Sequence, residues 1–420
     1  MGTRTFINSA YTSPTIKKPH LAGVDMPLLV IVIALCTFGL LMVFSASWDF
    51  SLAVYNEPMY MFNRQVLWMG VGIVAAVILS RLDYHLWRRL AVPVMIVTIG
   101  LLMGVLIVNE VRLGAIRAYF QGSVQPSELA KVVTVIYLAV WLYAKRQTLH
   151  DVSLGLVPLS VIIGVVGGLI YAQPDLSATG TIFLLGGLLF FLAGGDLKQI
   201  AMLLFLAFGV GWLVVQISPT GRARFEDFWF GIQDPTQASY HVRRSLEAIV
   251  KGGWFGVGLG RANTKLTGLP VPPTDSIFAV ITEEMGMVGA AGTIGLYALL
   301  VWRGLRIAQK APDMLGTLLA SGLTFWLAME ASINMMVMVG LMPFAGNALP
   351  FISAGGSNLT ASLAAVGILL NISRQTGAPP TEEAPDEDGR IFNATIDLRR
   401  RNGRRRISRP VRTPGAHRQS

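Results

Sequence analysis

Runs of 18 or more nearly uncharged residues recur along this chain, and each is long enough to span the ~30 Å hydrocarbon core of a bilayer as a helix. Ten candidate helices follow, near residues 27–46, 64–81, 89–108, 126–144, 153–172, 175–194, 198–217, 275–302, 314–338 and 358–373. Composition agrees, since 53% of the residues are hydrophobic and 14% charged, too apolar a balance for a water-soluble fold. The expected fold class is therefore an all-α polytopic membrane protein. It has about ten transmembrane helices and one large extracytoplasmic loop carrying a short amphipathic helix.

The flanks divide the chain further. Residues 1–24 are polar and read as a cytoplasmic N-terminal segment without the apolar stretch of a cleavable signal, so the first span is expected to be an uncleaved anchor. Residues 25–375 form the ten-helix membrane domain, with 218–274 as its large outer loop. Residues 376–420 read as a disordered, Arg-rich cytoplasmic tail. From Arg390 onward ten arginines face one acid, Asp397, so this tail supplies most of the net charge of +10. Attraction to anionic inner-leaflet lipid accounts for such a tail. It lacks the aromatic interleaving of a nucleic-acid surface, and no nucleic acid is expected. Cys36 is the only cysteine, which excludes an intrachain disulfide.

Loop charge sets sidedness. The connections after the second, fourth, sixth and eighth helices hold Arg81, Arg88, Arg89, Lys145, Arg146, Lys198, Arg303, Arg306 and Lys310. The alternate short connections hold Arg64, Arg112 and Arg117. By the positive-inside rule both termini are cytoplasmic. Within the outer loop, Val242, Leu246, Ile249 and Val250 repeat at helical spacing between Ser239 and Lys251, as expected of an amphipathic helix lying on the outer membrane face. There is no convincing internal repeat, which counts against inverted-repeat transporters.

The chemistry centres on Trp254–Gly289, a Gly- and Pro-rich loop that turns at Thr274-Asp275 into an apolar run. Thr and Asp are favoured where helices begin, so Asp275 is expected to open the eighth helix at the membrane's outer edge. The same topology brings Arg117, Glu128, Lys131 and Asp175 to that face. Ionisable groups at membrane depth are costly and are functional candidates by default. Each also has a plain structural reading. Glu128 and Lys131 are spaced i, i+3 and can satisfy each other. Asp175 suits the first turn of a helix. Of Glu283 and Glu284, one is expected to be a buried, paired structural acid. Ala279, Thr282, Gly286 and Gly289 form a small-residue face suited either to close backbone approach or to an acyl or isoprenoid chain. GVGLG at 256–260 follows no strand, so it is not a nucleotide fingerprint. No metal-ligand cluster and no nucleophile elbow is present in the sequence.

VQPSELAK, AQPDL, the stretch from GGWFGVGLG through TDSIFAVITEEMGMVG, and LPFISAGGSN resemble, in order, the motifs of the SEDS family of bacterial cell-wall proteins. The likeness covers nearly all of residues 24–374. It implies a multi-pass enzyme of the bacterial inner membrane, an inverting peptidoglycan glycosyltransferase. Such an enzyme polymerises lipid II, an undecaprenyl-diphosphate-linked disaccharide-peptide, into glycan strands for cell division or elongation. It works beside a class B penicillin-binding protein and among membrane lipids. The family's essential carboxylate falls on Asp275, its charged pair on Glu128 and Lys131, its third acid on Asp175 and its preceding arginine on Arg117. Arg244, Arg261 and Lys265 are added as loop cations for the diphosphate. Ser276, Ala354, His241, Arg244 and Ala118 depart from the usual residues of the family, and none of these removes the carboxylate.

Glycosyl transfer from a diphosphate needs a base for the acceptor hydroxyl and positive charge for the leaving group, rather than the carboxylate pair of glycoside hydrolases. One outer Asp with several Arg and Lys nearby is a minimal set. The cofactor stays unassigned, a divalent cation included. Two other classes stay open: a flippase or transporter of lipid-linked precursor, and a non-catalytic scaffold for a penicillin-binding protein. Charges gathered on one face favour the enzyme.

The topology is testable by cysteine labelling from outside on a Cys36-free background. Thr236→Cys should be marked and Ser153→Cys should not; the reverse pattern would overturn the shared outer face.

Overall fold

The computed structural model describes residues 23–108, 111–112, 115–116 and 125–375, all within one compact unit, Met1–Pro380. The Arg-rich tail and Arg117 lie outside the described residues. The described helices are α1 (Met26–Tyr55), α2 (Tyr60–Arg81), α3 (Trp87–Val108), α4 (Pro126–Lys145), α5 (Leu156–Tyr171) and α6 (Leu176–Leu192). They continue with α7 (Leu197–Ile217), α8 (Pro219–Gln233), α9 (Tyr240–Gly252), α10 (Ile277–Gln309), α11 (Met314–Met338) and α12 (Gly356–Gln375). Between α3 and α4 sits a two-residue antiparallel ladder, Val111–Arg112 with Ala115–Ile116.

The all-α membrane class holds. Among the described residues eight helices are long and apolar enough to cross a bilayer, namely α1 to α4, α7 and α10 to α12. The other two expected helices, α5 and α6, are apolar but have 16 and 17 residues, about 25 Å at 1.5 Å per residue. α8 was not expected, although Ser218 caps it by accepting from Gly221 N at 3.2 Å and Pro219 opens it.

α4, α11 and α12 are the most buried spans, while α2 and α7 expose most of their surface. α12 lies along α2 at close range: a Cβ on Gly367 would stand 2.6 Å from the carbonyl oxygen of Ala76. At the end of the bundle carrying the basic connections, polar ties join the helices. Arg303 pairs with Asp25, and Asn371 Oδ1 accepts from Tyr84 N at 2.9 Å. Asp313 caps α11 through Gly316 N at 2.8 Å and also binds Tyr84 Oη at 2.8 Å and His85 Nε2 at 3.0 Å. Burial raises the Asp313 pKa, but the bonds from His85, Gly316 and Tyr84 outweigh it and hold the carboxyl below its ordinary value.

Two local expectations change. The amphipathic helix exists as α9, but its buried residues, Val242, Ser245, Ala248 and Gly252, face protein. Gly252 abuts the backbone of Thr282 and Glu283 in α10, and Ser245 Oγ lies 3.2 Å from Met338 Sδ. α9 therefore packs its buried face on α10 and α11, and Val250, expected in the apolar stripe, is exposed. Second, Asp275 does not open a helix. α10 starts at Ile277, and Ser276 at the N-cap makes no side-chain capping bond.

α10 is broken at Gly286, whose φ of 67° is outside the helical region. The backbone groups freed there are taken up by the loop after α9. Val257 N and Gly258 N each donate at 3.0 Å to the carbonyls of Glu283 and Glu284, and Met287 N and Val288 N donate to Gly253 O at 2.9 Å and Trp254 O at 3.2 Å. This is why the stretch is glycine-rich: a Cβ on Gly256 would lie 2.2 Å from the carbonyl oxygen of Glu284. The small-residue face of α10 is thus for close backbone approach, and the GVGLG amides of Val257 and Gly258 bind α10. Gly256 and Gly260 share a positive φ, 78° and 77°, but Gly260 has open space around it. Gly260→Ala should cost only the left-handed strain, about 1–2 kcal/mol. Gly256→Val should add overpacking, for about 2–5 kcal/mol in all. Thermal unfolding in detergent checks this, and equal shifts would show that the docked loop is not close-packed.

Candidate active site

Five segments distant in the chain meet at the end of the bundle opposite the Arg303–Asp25 pair. The interior part is electrostatic. Lys131 Nζ donates at 2.9 Å to Glu128 Oε1 and at 2.9 Å to Glu330 Oε1. The side chains of Lys131 and Glu330 are 2% and 0% exposed. The second oxygens are also bonded: Glu128 Oε2 accepts from Asn358 Nδ2 at 2.8 Å, and Glu330 Oε2 from Asn347 Nδ2 at 3.4 Å. Such satisfaction is what a dry ionic cluster requires.

The cluster continues to Asp275 through one carboxamide. Asn334 Nδ2 donates to Asn347 O at 2.5 Å and to Asp275 O at 2.9 Å. Two further bonds hold the preceding carbonyls: Thr274 O accepts from Ser353 Oγ at 2.6 Å, and Pro273 O from Ala354 N at 2.8 Å. The 349–354 turn that supplies them carries Phe351 at φ 67°, rare for a bulky residue, with Tyr297 Oη bonded to Pro350 O.

The Asp275 side chain is half-buried in the turn before α10. It rests beside Gly346, where a Cβ would stand 3.5 Å from Asp275 Oδ2 and 3.9 Å from the Phe344 ring. Phe344 in turn stacks on His241 at 4.1 Å, with the Arg224 guanidinium 5.7 Å from its centre. Burial, and then the charge of Arg224, pushes the His241 pKa down. A cavity of about 270 Å³ opens alongside, lined by Arg224, Asp227, Val242, Met342 and Phe344 among others.

Asp175 joins the same region. It caps α6, accepting from Ala178 N at 3.2 Å, and Ser177 Oγ donates to it at 3.0 Å. Gln125 Nε2 reaches its other oxygen at 3.4 Å, and Ser177 also bonds Ala345 O at 3.2 Å. Glu128, Lys131, Asp175 and Asp275 are thus brought together, largely by the 345–358 turn.

The loop cations are placed differently. Lys265 Nζ bonds Glu284 Oε1 at 3.1 Å and Ser45 O at 2.9 Å, with its side chain 5% exposed. Glu283 accepts from the amides of Asn263 and Thr264 and from Thr264 Oγ1. Both glutamates, not one, are buried structural acids that dock the loop. Arg244 binds Glu247 at 2.5 Å and lies by Gly268, and Arg261 is exposed. Reading by sequence missed Glu330, Asn334, Asn347 and Asn358. An acid inside the apolar 314–338 run was itself a signal for Glu330.

The comparisons with known proteins fit this arrangement. The cell cycle protein family of FtsW, RodA and SpoVE matches residues 26–378. The chain belongs to this family. Its relatives include a probable peptidoglycan glycosyltransferase FtsW of Trichlorobacter lovleyi, 39% identical over 363 residues that make up 85% of this chain and 95% of that one. Stage V sporulation protein E of Bacillus subtilis is 36% identical over 356 residues, 83% of this chain and 97% of that one. Among solved structures, a peptidoglycan synthase complex aligns with a TM-score of 0.69 at 27% identity, covering 84% of this chain and 98% of that one. RodA of Thermus thermophilus aligns at 0.59 and 25% identity, covering 85% and 98%.

The buried cluster makes a prediction that separates charge from shape. Lys131→Met leaves two carboxylates facing each other in a dry site and should cost about 3–5 kcal/mol. Adding Glu330→Gln should recover part of that loss, measured by thermal unfolding in detergent. No recovery would mean that the two charges are not coupled.

Proposed function

We propose that this chain is a peptidoglycan glycosyltransferase that polymerises lipid II at the Asp275 end of the bundle, on the outer face of the bacterial inner membrane. The observation that carries the reading is the backbone of Pro273, Thr274 and Asp275, held by Ala354, Ser353 and Asn334. That fixes a half-buried carboxylate beside the buried Lys131–Glu128–Glu330 cluster. Both termini lie in the cytoplasm, on the side of the basic connections. A class B penicillin-binding protein is the partner that cross-links the product.

Asp275 takes the proton of the acceptor sugar hydroxyl. The resulting oxygen attacks the anomeric carbon of the donor from the face opposite the diphosphate. The carbon–oxygen bond to phosphate breaks, and its electron pair leaves on the undecaprenyl diphosphate, with inversion. Positive charge stabilises that leaving group. Arg117, Arg244 and Arg261 are the cations for this role. Lys265 leaves that set, because its side chain is buried against Glu284 and Ser45, whereas Arg244 stays partly exposed beside Glu247. Lys131 acts from within, by keeping Glu128 and Glu330 in place. Among the described residues no group of three or more His, Cys, Asp or Glu is placed to hold a metal ion.

Asp275→Asn tests the assignment. Asn keeps the size and the backbone bonds, so folding and partner binding should persist. General base catalysis contributes roughly 10²–10⁴-fold, and lipid II polymerisation by the purified protein with its partner should fall by at least about that factor. A variant that makes glycan strands at near the parental rate would sink the role of Asp275.

A further inference from the structure

The loop between α9 and α10 leaves large apolar side chains facing away from the protein. Trp254 and Phe255 are 74% and 84% exposed, and Val250 and Leu259 beside them are exposed too. In water such a cluster is unfavourable, so its depth in the bilayer decides what it does. Two independent rulers give that depth.

The first ruler is α10. Trp302, half-exposed and flanked by the guanidinium groups of Arg303 and Arg306 at 5.4 Å and 5.6 Å, marks one membrane interface. Gly286, which the backbone of Trp254 contacts directly, lies 16 residues before Trp302, about 24 Å along the helix axis. The second ruler is α1. Asp25, paired with Arg303, caps its start. Ser45, 20 residues on, bonds Glu284 at 2.6 Å and accepts from Lys265; that is about 30 Å of helix. Both rulers put the docked loop at or just inside the far boundary of a ~30 Å hydrocarbon slab.

We propose that residues 253–259 form a membrane-inserted wedge, with Trp254, Phe255 and Leu259 seated among the glycerol ester and upper acyl groups of phospholipids in the leaflet on the Asp275 side. The chemistry of the segment suits that occupant. Trp favours the membrane interface and Phe and Leu the acyl boundary beneath it, and the amides of Val257 and Gly258 and the carbonyls of Gly253 and Trp254 are bonded to α10. Exposed Arg261 and half-exposed Lys251 flank the apolar residues, where phosphate groups lie. Trp48 of α1, half-exposed one turn beyond Ser45, stands at the same level. The wedge thereby fixes the height of the loop that leads to Asp275, relative to the headgroups of whatever lipid-linked substrate arrives there.

The test uses full-length protein in phosphatidylglycerol/phosphatidylethanolamine nanodiscs. On a Cys36→Ser background, a nitroxide label is placed at Phe255→Cys, at Trp254→Cys and, as an aqueous reference, at Thr236→Cys. Collision with dissolved oxygen should exceed collision with a water-soluble nickel complex several-fold at 254 and 255, and the ratio should invert at 236. Nickel accessibility at 254 and 255 equal to that at 236 would overturn the wedge. So would loss of both probes' access on adding the partner protein, since that would make the surface a protein interface. A photoreactive amino acid at 255 gives a second readout that needs no cysteine. Cross-links to lipid support the proposal, and cross-links only to protein refute it.

Discussion

An ion drawn into hydrocarbon must bring its partners with it, and this bundle is assembled around that requirement. Lys131 lies in the apolar interior only because Glu128 comes from its own helix and Glu330 from α11, each at 2.9 Å. Those acids then need further donors, which Asn358 and Asn347 supply from α12 and the preceding turn. A single ammonium group thus dictates how three of the most buried elements approach one another. Buried ion pairs seldom add net stability compared with well-packed apolar residues. Their value here is in specificity of register, because a one-turn slip of α11 against α4 would strand a charge.

The same accounting governs the backbone. A helix broken at Gly286 within the bilayer would leave carbonyls and amides without partners, so something must occupy the break. The loop after α9 does so with four backbone bonds, and it carries Lys265 and the Asn263 and Thr264 amides to neutralise or cap Glu284 and Glu283. Loop and helix are therefore one unit. The glutamates that look from sequence like isolated liabilities are the attachment points of the loop.

Much of this was legible beforehand. Among the described residues, the eight membrane-length helices, the two shorter apolar ones and the grouping of Glu128, Lys131 and Asp175 near Asp275 follow from hydropathy and loop charge. Periodicity gave α9 but not the surface it covers, because an apolar stripe is satisfied equally by lipid and by α10. Thr-Asp is a capping pair and predicts a helix start at Asp275, yet Pro270–Ser276 instead forms a turn braced by Ser276 Oγ on Pro270 O at 2.8 Å. Tertiary bonds from Ser353 and Asn334 overrode the local signal. Lys265 read as a substrate cation because charge on a loop looks available until its partner is known, and that partner is on a different helix.

The interior cluster and the outer carboxylate answer to opposite demands, and Asn334 connects them. The cluster is buried, and all four carboxylate oxygens in it accept hydrogen bonds, which orders it. A base of the kind proposed for Asp275 must instead be reachable, and Asp275 is only half-buried. A reachable side chain on a mobile loop would have to be ordered at the moment of reaction, which lowers the benefit of placing it there. Here the ordering is done in advance through the main chain. The three carbonyls of Pro273, Thr274 and Asp275 are fixed from outside their own segment. The donor on Asp275 itself is the same Asn334 amide that bonds Asn347, the neighbour of Glu330. A shift of the 345–358 turn would therefore disturb Lys131 and Asp275 together. Order built by pairing buried charges is in this way passed to the group proposed to meet substrate.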